Sequence, residues 1–229
     1  MTICCPKSIK GLAIRVTRTD VCGVPEAETI AQSRIATNGF VTMTLSPNIE
    51  TGEAITVKNA DGSFCVVDED PDLLRGFDLE LLLCGVPTPL LEMLLGASVL
   101  TDGPDTVGGV LPSRANQTNL LPRQIEIWSR NKDATACAPG ASPVPYVEWL
   151  LPLTRKWNLG GSLAFSISNL EVTLTGFAEE SPGYETSVAG EWSAADILAI
   201  QSGGPLAWKC VGSLPVVDDC GYVPAASGS

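Results

Sequence analysis

The sequence predicts a mainly β protein with a short helix packed on one sheet face. Three features carry this: a strand that turns directly into a helix at 75–96, further runs of period-2 hydrophobicity, and 22 Gly with 17 Pro in 229 residues. In RGFDLELLLCGVPTPLLEMLLG, Phe77, Leu79, Leu81 and Leu83 alternate with Asp78 and Glu80, the signature of a half-buried strand. Gly85, Pro87 and Pro89 stop that strand. Thr88 is placed to cap a helix with Pro89 at its first helical position, and Leu90, Leu91, Met93, Leu94 and Leu95 crowd one side before Gly96 ends it. A helix this short is not stable alone, so it must lie on a sheet.

The remaining elements follow in order. Leu12, Ile14 and Val16 alternate with Arg15, Thr17 and Arg18 in a first strand, and 21–38 reads as a loop. Val41, Met43 and Leu45 alternate with Thr42 and Thr44, residues 46–52 read as a turn, and Ile55 and Val57 alternate with Thr56 and Lys58, which predicts a hairpin. Asp61–Gly62 marks a second turn before a short strand at 64–67. Residues 97–122 hold six Gly and Pro and show no sustained period, so they are expected to form a long loop and a contact arm. Strands are expected at 124–129, 146–153, 165–167 and 170–174, and a loop at 176–190. Ser193 with Asp196 three residues on predicts a capped helix over 193–200, and 215–229 reads as a loosely held end of a single domain spanning 1–229.

Composition narrows the function. Hydrophobic content of 45% with 17% charged residues describes a folded chain. The formal net charge is −12 and no basic stripe occurs, so the electrostatic footprint of a nucleic-acid grip is missing. An acidic surface instead suits a protein that sits beside DNA without holding it. No run approaches the ~20 apolar residues of a membrane span, and the first twenty residues carry no apolar core with a small-residue cleavage site, so no membrane partner and a cytoplasmic origin are expected.

Catalytic motifs are scarce. The chain has no His, which removes Ser/His/Asp, Cys/His and His-metal chemistry, and no phosphate-cradling glycine loop occurs. Asp68, Asp70 and Asp72 have the spacing that opens a calcium loop, but Leu73 and Leu79 stand where such a loop needs Gly and Glu, so a solvated turn is expected. Asp78 and Glu80 share a strand face, as a glycosidase pair would, without aromatic platforms close in sequence. The eight cysteines include no CxxC; thiols are the expectation without a secretory context, with pairing after release or an all-Cys metal site left open. Tyr146, Trp149 and Trp157 read as core or a subunit seam before a binding platform. No catalytic residue, metal or cofactor is assigned.

The runs KGLAIRVTRTDVCGVP, FVTMTLSPNIETGEAITVKNADGSFCV and RGFDLELLLCGVPTPLLEMLLG, in that order over about the first 100 residues, resemble the major tail (tail tube) proteins of long-tailed actinobacterial phages. The resemblance implies a β-sandwich or split barrel with a flanking helix, built into hexameric rings that stack into a virion tail tube through which DNA leaves. It implies assembly in the host cytoplasm, partnership with further copies, a tape measure and a tail terminator, and DNA passing without specific binding. Glu50, Glu53, Asp61 and Glu80 are the candidates for channel charge, and Arg15, Arg18, Arg34, Arg114, Asp102 and Asp105 for contacts between subunits. The alternatives are a tail terminator or capsid decoration protein and, in a different class, a secreted disulfide-linked carbohydrate-binding β-sandwich.

Overall fold

The computed structural model describes residues 8–27, 30, 32–84, 87–102, 105–111, 122–131, 145–161, 164–165, 170–184, 192–217 and 223. Its elements are β1 (Ser8–Arg18), β2 (Arg34–Thr37), β3 (Phe40–Glu50), β4 (Ala54–Lys58), β5 (Phe64–Glu69), β6 (Leu73–Cys84), α1 (Thr88–Leu95), β7 (Ser98–Asp102), β8 (Asp105–Val110), β9 (Arg123–Asn131), β10 (Tyr146–Leu159), β11 (Ala164–Phe165), β12 (Leu170–Glu179), α2 (Ala194–Ser202) and β13 (Ala207–Val211). The fold is mainly β with a flanking helix, as expected.

Nine strands form one antiparallel sheet in the order β2-β1-β9-β10-β12-β6-β3, with β13 on β10 and β11 on β12. The sheet curls until Gly11 of β1 lies against the Phe40 ring of β3, so these strands meet without pairing among the described residues and leave an open barrel. The alternation in β6 decides which face turns in: Leu79, Leu81 and Leu83 are buried while Asp78 and Glu80 are exposed. Met43 and Leu45 of β3 and Val172 and Leu174 of β12 join them, as do Ile14, Val16, Ile125 and Leu151 from the other half. Helix α1 lies on this interior through Leu90, Met93, Leu94 and Leu95. Each such side chain contributes about 1.5–3 kcal/mol when fully buried.

Pro87, not Thr88, is the N-cap of α1; it is extended, no side chain caps the helix, and Thr88 and Pro89 are already helical. Gly96 ends the helix in the left-handed region at φ 70°, where its amide bonds Glu92 O. Helix α2 has the expected capping box: Ser193 Oγ accepts from the Asp196 amide at 3.2 Å, and the Ser193 amide donates to Asp196 Oδ2 at 3.0 Å.

Several expectations are corrected. β3 runs through the segment read as a turn at 46–52 and pairs with β6, while β4 pairs with β5, so the hairpin of 41–45 with 55–57 does not exist. Pro47 is tolerated because β3 is an edge strand and a missing N–H costs no ladder bond on its open side. Residues 21–38 include β2, and 97–122 include the β7–β8 hairpin rather than a structureless loop. β12 runs on to Glu179, into the expected loop. Cys210 is disulfide-bonded, against the expectation of a thiol, whereas Cys22, Cys65 and Cys84 are free.

The outer face divides into two halves. Over β10, Leu150 packs with Tyr184, Trp192 and Ile200, so α2 covers this side while Leu151 faces the interior. Beside this cluster lies a buried ionic row. Arg15 Nε and Nη2 donate to both Glu126 carboxylate oxygens at 2.6 and 2.8 Å, and the guanidinium stacks 5.0 Å from the Trp128 ring. Lys209 pairs with Glu148 at 3.5 Å and sits 4.1 Å from the Trp192 ring. Removing one partner of such a pair leaves a buried charge uncompensated. We predict that Glu126→Ala costs about 3–5 kcal/mol in denaturant unfolding and that the joint change Arg15→Met with Glu126→Leu costs less; equal losses would show that packing, not charge, sets the penalty.

Candidate functional site

The other half of the outer face, over β3, β6 and β12, presents polar side chains to solvent. Thr42, Thr44, Ser46 and Asn48 of β3 are all exposed. They register with Leu82, Glu80, Asp78 and Gly76 of β6, and the first three of these register in turn with Thr173, Thr175 and Phe177 on β12. Period 2 forces this: burying Leu79, Leu81 and Leu83 sends Asp78 and Glu80 outward. Asn48 Nδ2 donates to Asp78 Oδ2 at 2.9 Å, and Asp78, Glu80, Asn48, Thr175 and Lys156 border an open depression of about 620 Å³. Lys156 adopts φ 58° at a bulge in β10 and lies 5.4 Å from the Phe177 ring. Gly76 is required where it stands: at φ 151° a Cβ would come within 2.0 Å of Ala178 O.

Past a register shift between Asn48 and Ile49, β3 and β6 leave the barrel and lead into the β4–β5 ribbon. The structure thus has an arm. Ile49, Ile55, Val57, Phe64, Leu73 and Leu74 on it keep 44–60% of their surface exposed, although their alternation reads as core. Asp72 accepts the Gly52 amide at 2.9 Å, the Asp70 amide bonds Glu53 O at 3.2 Å, and Arg75 pairs with Glu50, which together tie the root. Lys58 stacks 5.1 Å from the Phe64 ring. At the tip, Gly62 takes φ 86° and Asp61 accepts from the Ser63 amide at 2.9 Å and its hydroxyl at 2.6 Å.

Of the four residues expected to carry channel charge, Glu80 stands mid-face, with Asp78 beside it. Glu50 lies at the arm root, and Glu53 and Asp61 lie on the arm. Among the residues expected between subunits, Arg15 is instead a core residue held by Glu126, and Arg34 is buried in β2. Neither burial can be read from the sequence, since alternation cannot show that the outer face of β1 is covered. Arg18 is half-buried and pairs with Glu92 of α1 at 3.6 Å. Asp102 is exposed at the end of β7, Asp105 opens β8, and Arg114 lies outside the described residues. Trp157 is core, Trp149 is half-buried, and Trp208, 5.9 Å from Trp149, is exposed. Among the described residues no group of three or more Cys, Asp or Glu could hold a metal ion, and no helix is long and apolar enough to cross a membrane.

No family model matches the chain, and no curated protein matches it. Among solved structures it is similar to the tube-terminating cap of the anti-feeding prophage, at 13% identity and TM-score 0.34, covering 77% of this chain and 90% of that one. It is also similar to the sheath–tube complex of an extracellular contractile injection system, PVC, in its extended state, at 12% identity and TM-score 0.34, covering 75% and 88%. At that score neither likeness establishes a shared fold.

The hydrogen bonds from Ser63, side chain first and backbone second, hold the Asp61 carboxyl below the usual carboxylate range. A depressed pKa means the tip turn is supported above that range and loses this support as pH falls through and below it. We predict that the Ser63 amide resonance titrates with a midpoint below that of an unperturbed aspartate; a midpoint at the ordinary value would show the turn to be open in solution.

Proposed function

We propose that the chain is a structural subunit of a phage tail tube. Copies assemble into rings, six to a ring, and the rings stack around a channel walled by the uncovered outer face of β3, β6 and β12. The reading rests on one observation above all: this face is a three-strand surface whose exposed side chains are mostly Thr, Ser, Asn, Asp and Glu, while the other half of the same sheet face is covered. The sequence resemblance to major tail proteins supports it.

The function of such a wall is physical. Duplex DNA carries about one negative charge per 1.7 Å, and a wall bearing Asp78 and Glu80 repels phosphate instead of pairing with it. The hydroxyls of Thr42, Thr44 and Ser46 keep their water, and Leu82 and Phe177, the large apolar residues registered among them, are half-buried. Glu50, Glu53 and Asp61 ride on the arm at the channel margin, and Arg18, Asp102, Asp105 and Arg114 serve the contacts between subunits. Its further partners are a tape measure and a tail terminator, and the protein resides in the virion tail after assembly in the host cytoplasm. No chemical step is assigned to it.

Negative-stain microscopy of the concentrated purified protein tests this. Tubes are the expected result, isolated rings favour the terminator or decoration reading, and a chain that remains monomeric overturns both. The charge argument has its own check. Tubes made from Asp78→Lys/Glu80→Lys are expected to retain duplex DNA at low salt and to release it as salt rises, whereas wild-type tubes retain none at either.

A further inference from the structure

The chain contains one asparagine–glycine pair, Asn38–Gly39, and the fold puts it where the barrel closes. The end strands of the large sheet, β2 and β3, are joined by these two residues alone. Asn38 is exposed, and its side chain makes no hydrogen bond among the described residues. On one side of the pair Thr37 is buried; on the other, Gly39 O accepts the Cys84 amide at 2.9 Å, and Phe40 rests against Gly11 of β1. The link is thus a strap across the open seam, held at both ends.

We propose that Asn38 is a site of spontaneous deamidation and that its isoaspartyl product slackens this strap. An asparagine carboxamide is open to attack by the main-chain nitrogen that follows it, and glycine, without a Cβ, lets that nitrogen approach closely. The Gly39 nitrogen gives up its proton to solvent base and bonds Asn38 Cγ, while the Cγ–Nδ2 bond breaks and the leaving nitrogen departs as ammonia with a proton from water. Water then opens the cyclic imide. Opening at one carbonyl leaves an ordinary aspartyl residue; opening at the other routes the main chain through Cβ and Cγ. Both products carry a new negative charge, and the second inserts one carbon, about 1.5 Å of chain, between β2 and β3.

The fold also sets the pace. The Gly39 N–H donates to Thr37 Oγ1 at 3.0 Å, so the proton that must leave is held by a buried hydroxyl. Thr37 is therefore a positioning residue that restrains the reaction, and loss of its one hydrogen bond is a change of about tenfold in rate. Asn48 is the contrast within the same strand link: its Nδ2 is tied to Asp78 Oδ2 at 2.9 Å, and the branched Ile49 follows it. The chemistry is the same whether or not copies form tubes.

The test holds the full chain in mildly alkaline buffer and follows the tryptic peptide 35–58, which carries both Asn38 and Asn48, by mass spectrometry. Fragmentation is expected to place the mass gain of amide turned acid at position 38 and not at Asn48, with a rate that rises with pH. Thr37→Val is expected to convert about tenfold faster while the Leu79 and Leu81 amides of β6 stay protected from exchange. In the aged chain the Cys84 amide, whose acceptor is Gly39 O, is expected to exchange faster than in the fresh chain. Fresh Asn38→Asp, with the charge but the original chain length, is expected to exchange there as the wild type does. A folded chain that does not convert while the urea-unfolded chain does overturns the site. Unchanged conversion in Thr37→Val overturns the restraint. Cys84 exchange that is equal in fresh and aged chains, or as fast in fresh Asn38→Asp as in the aged chain, overturns the slackened strap.

Discussion

The rest of the structure depends on the strict two-residue period of β6. Because Leu79, Leu81 and Leu83 must leave water together, the strand fixes which face of the sheet turns inward, and the neighbouring registers of β3 and β12 follow it. A slip of one residue would bury Asp78 and Glu80 and expose the three leucines. The interior seat of α1, the polar outer surface and the departure point of the arm all descend from that one register.

Charge is handled in two opposite ways on the outer face. Where the outer face of β1, β9 and β10 is buried, the charges are few and paired, with Arg15 forked onto Glu126 and Lys209 set against Glu148. Over β6 the carboxylates stay in water, and their mutual repulsion is screened within about 10 Å at moderate salt. The first arrangement ties strands distant in sequence to one another; the second leaves a surface whose sign is set and whose partners are solvent. A single sheet thus holds both a sealed and an open electrostatic environment, which adjoin between β10 and β12.

Sequence disclosed the elements whose signals are local. β1, β6 and α1 announce themselves by period and by their terminators, and the Ser193–Asp196 cap was complete within four residues. The 4-residue β2 and 5-residue β13 are too short to show a period. The β3–β6 pairing could not be read because it joins strands through a segment, 46–52, rich in turn formers, and only the edge position of β3 lets Pro47 remain extended. The burial of Arg15 is illegible for a related reason, since its carboxylate partner lies 111 residues away. The arm is the sharpest case: Ile55 and Val57 alternate as core residues do, and alternation records that a face is apolar without saying whose surface covers it.

The uncovered face of β3, β6 and β12 has a consequence for how such a chain diverges. Thr42, Thr44 and Ser46 touch mostly water, so exchanging them among polar residues changes stability by only about 0.5 kcal/mol either way. Selection acting there sees hydration and sign, not identity. Related chains would then drift quickly over this surface while Leu79, Leu81, Leu83 and Gly76 stay fixed, and ancestry would be written on the inward half of each strand alone.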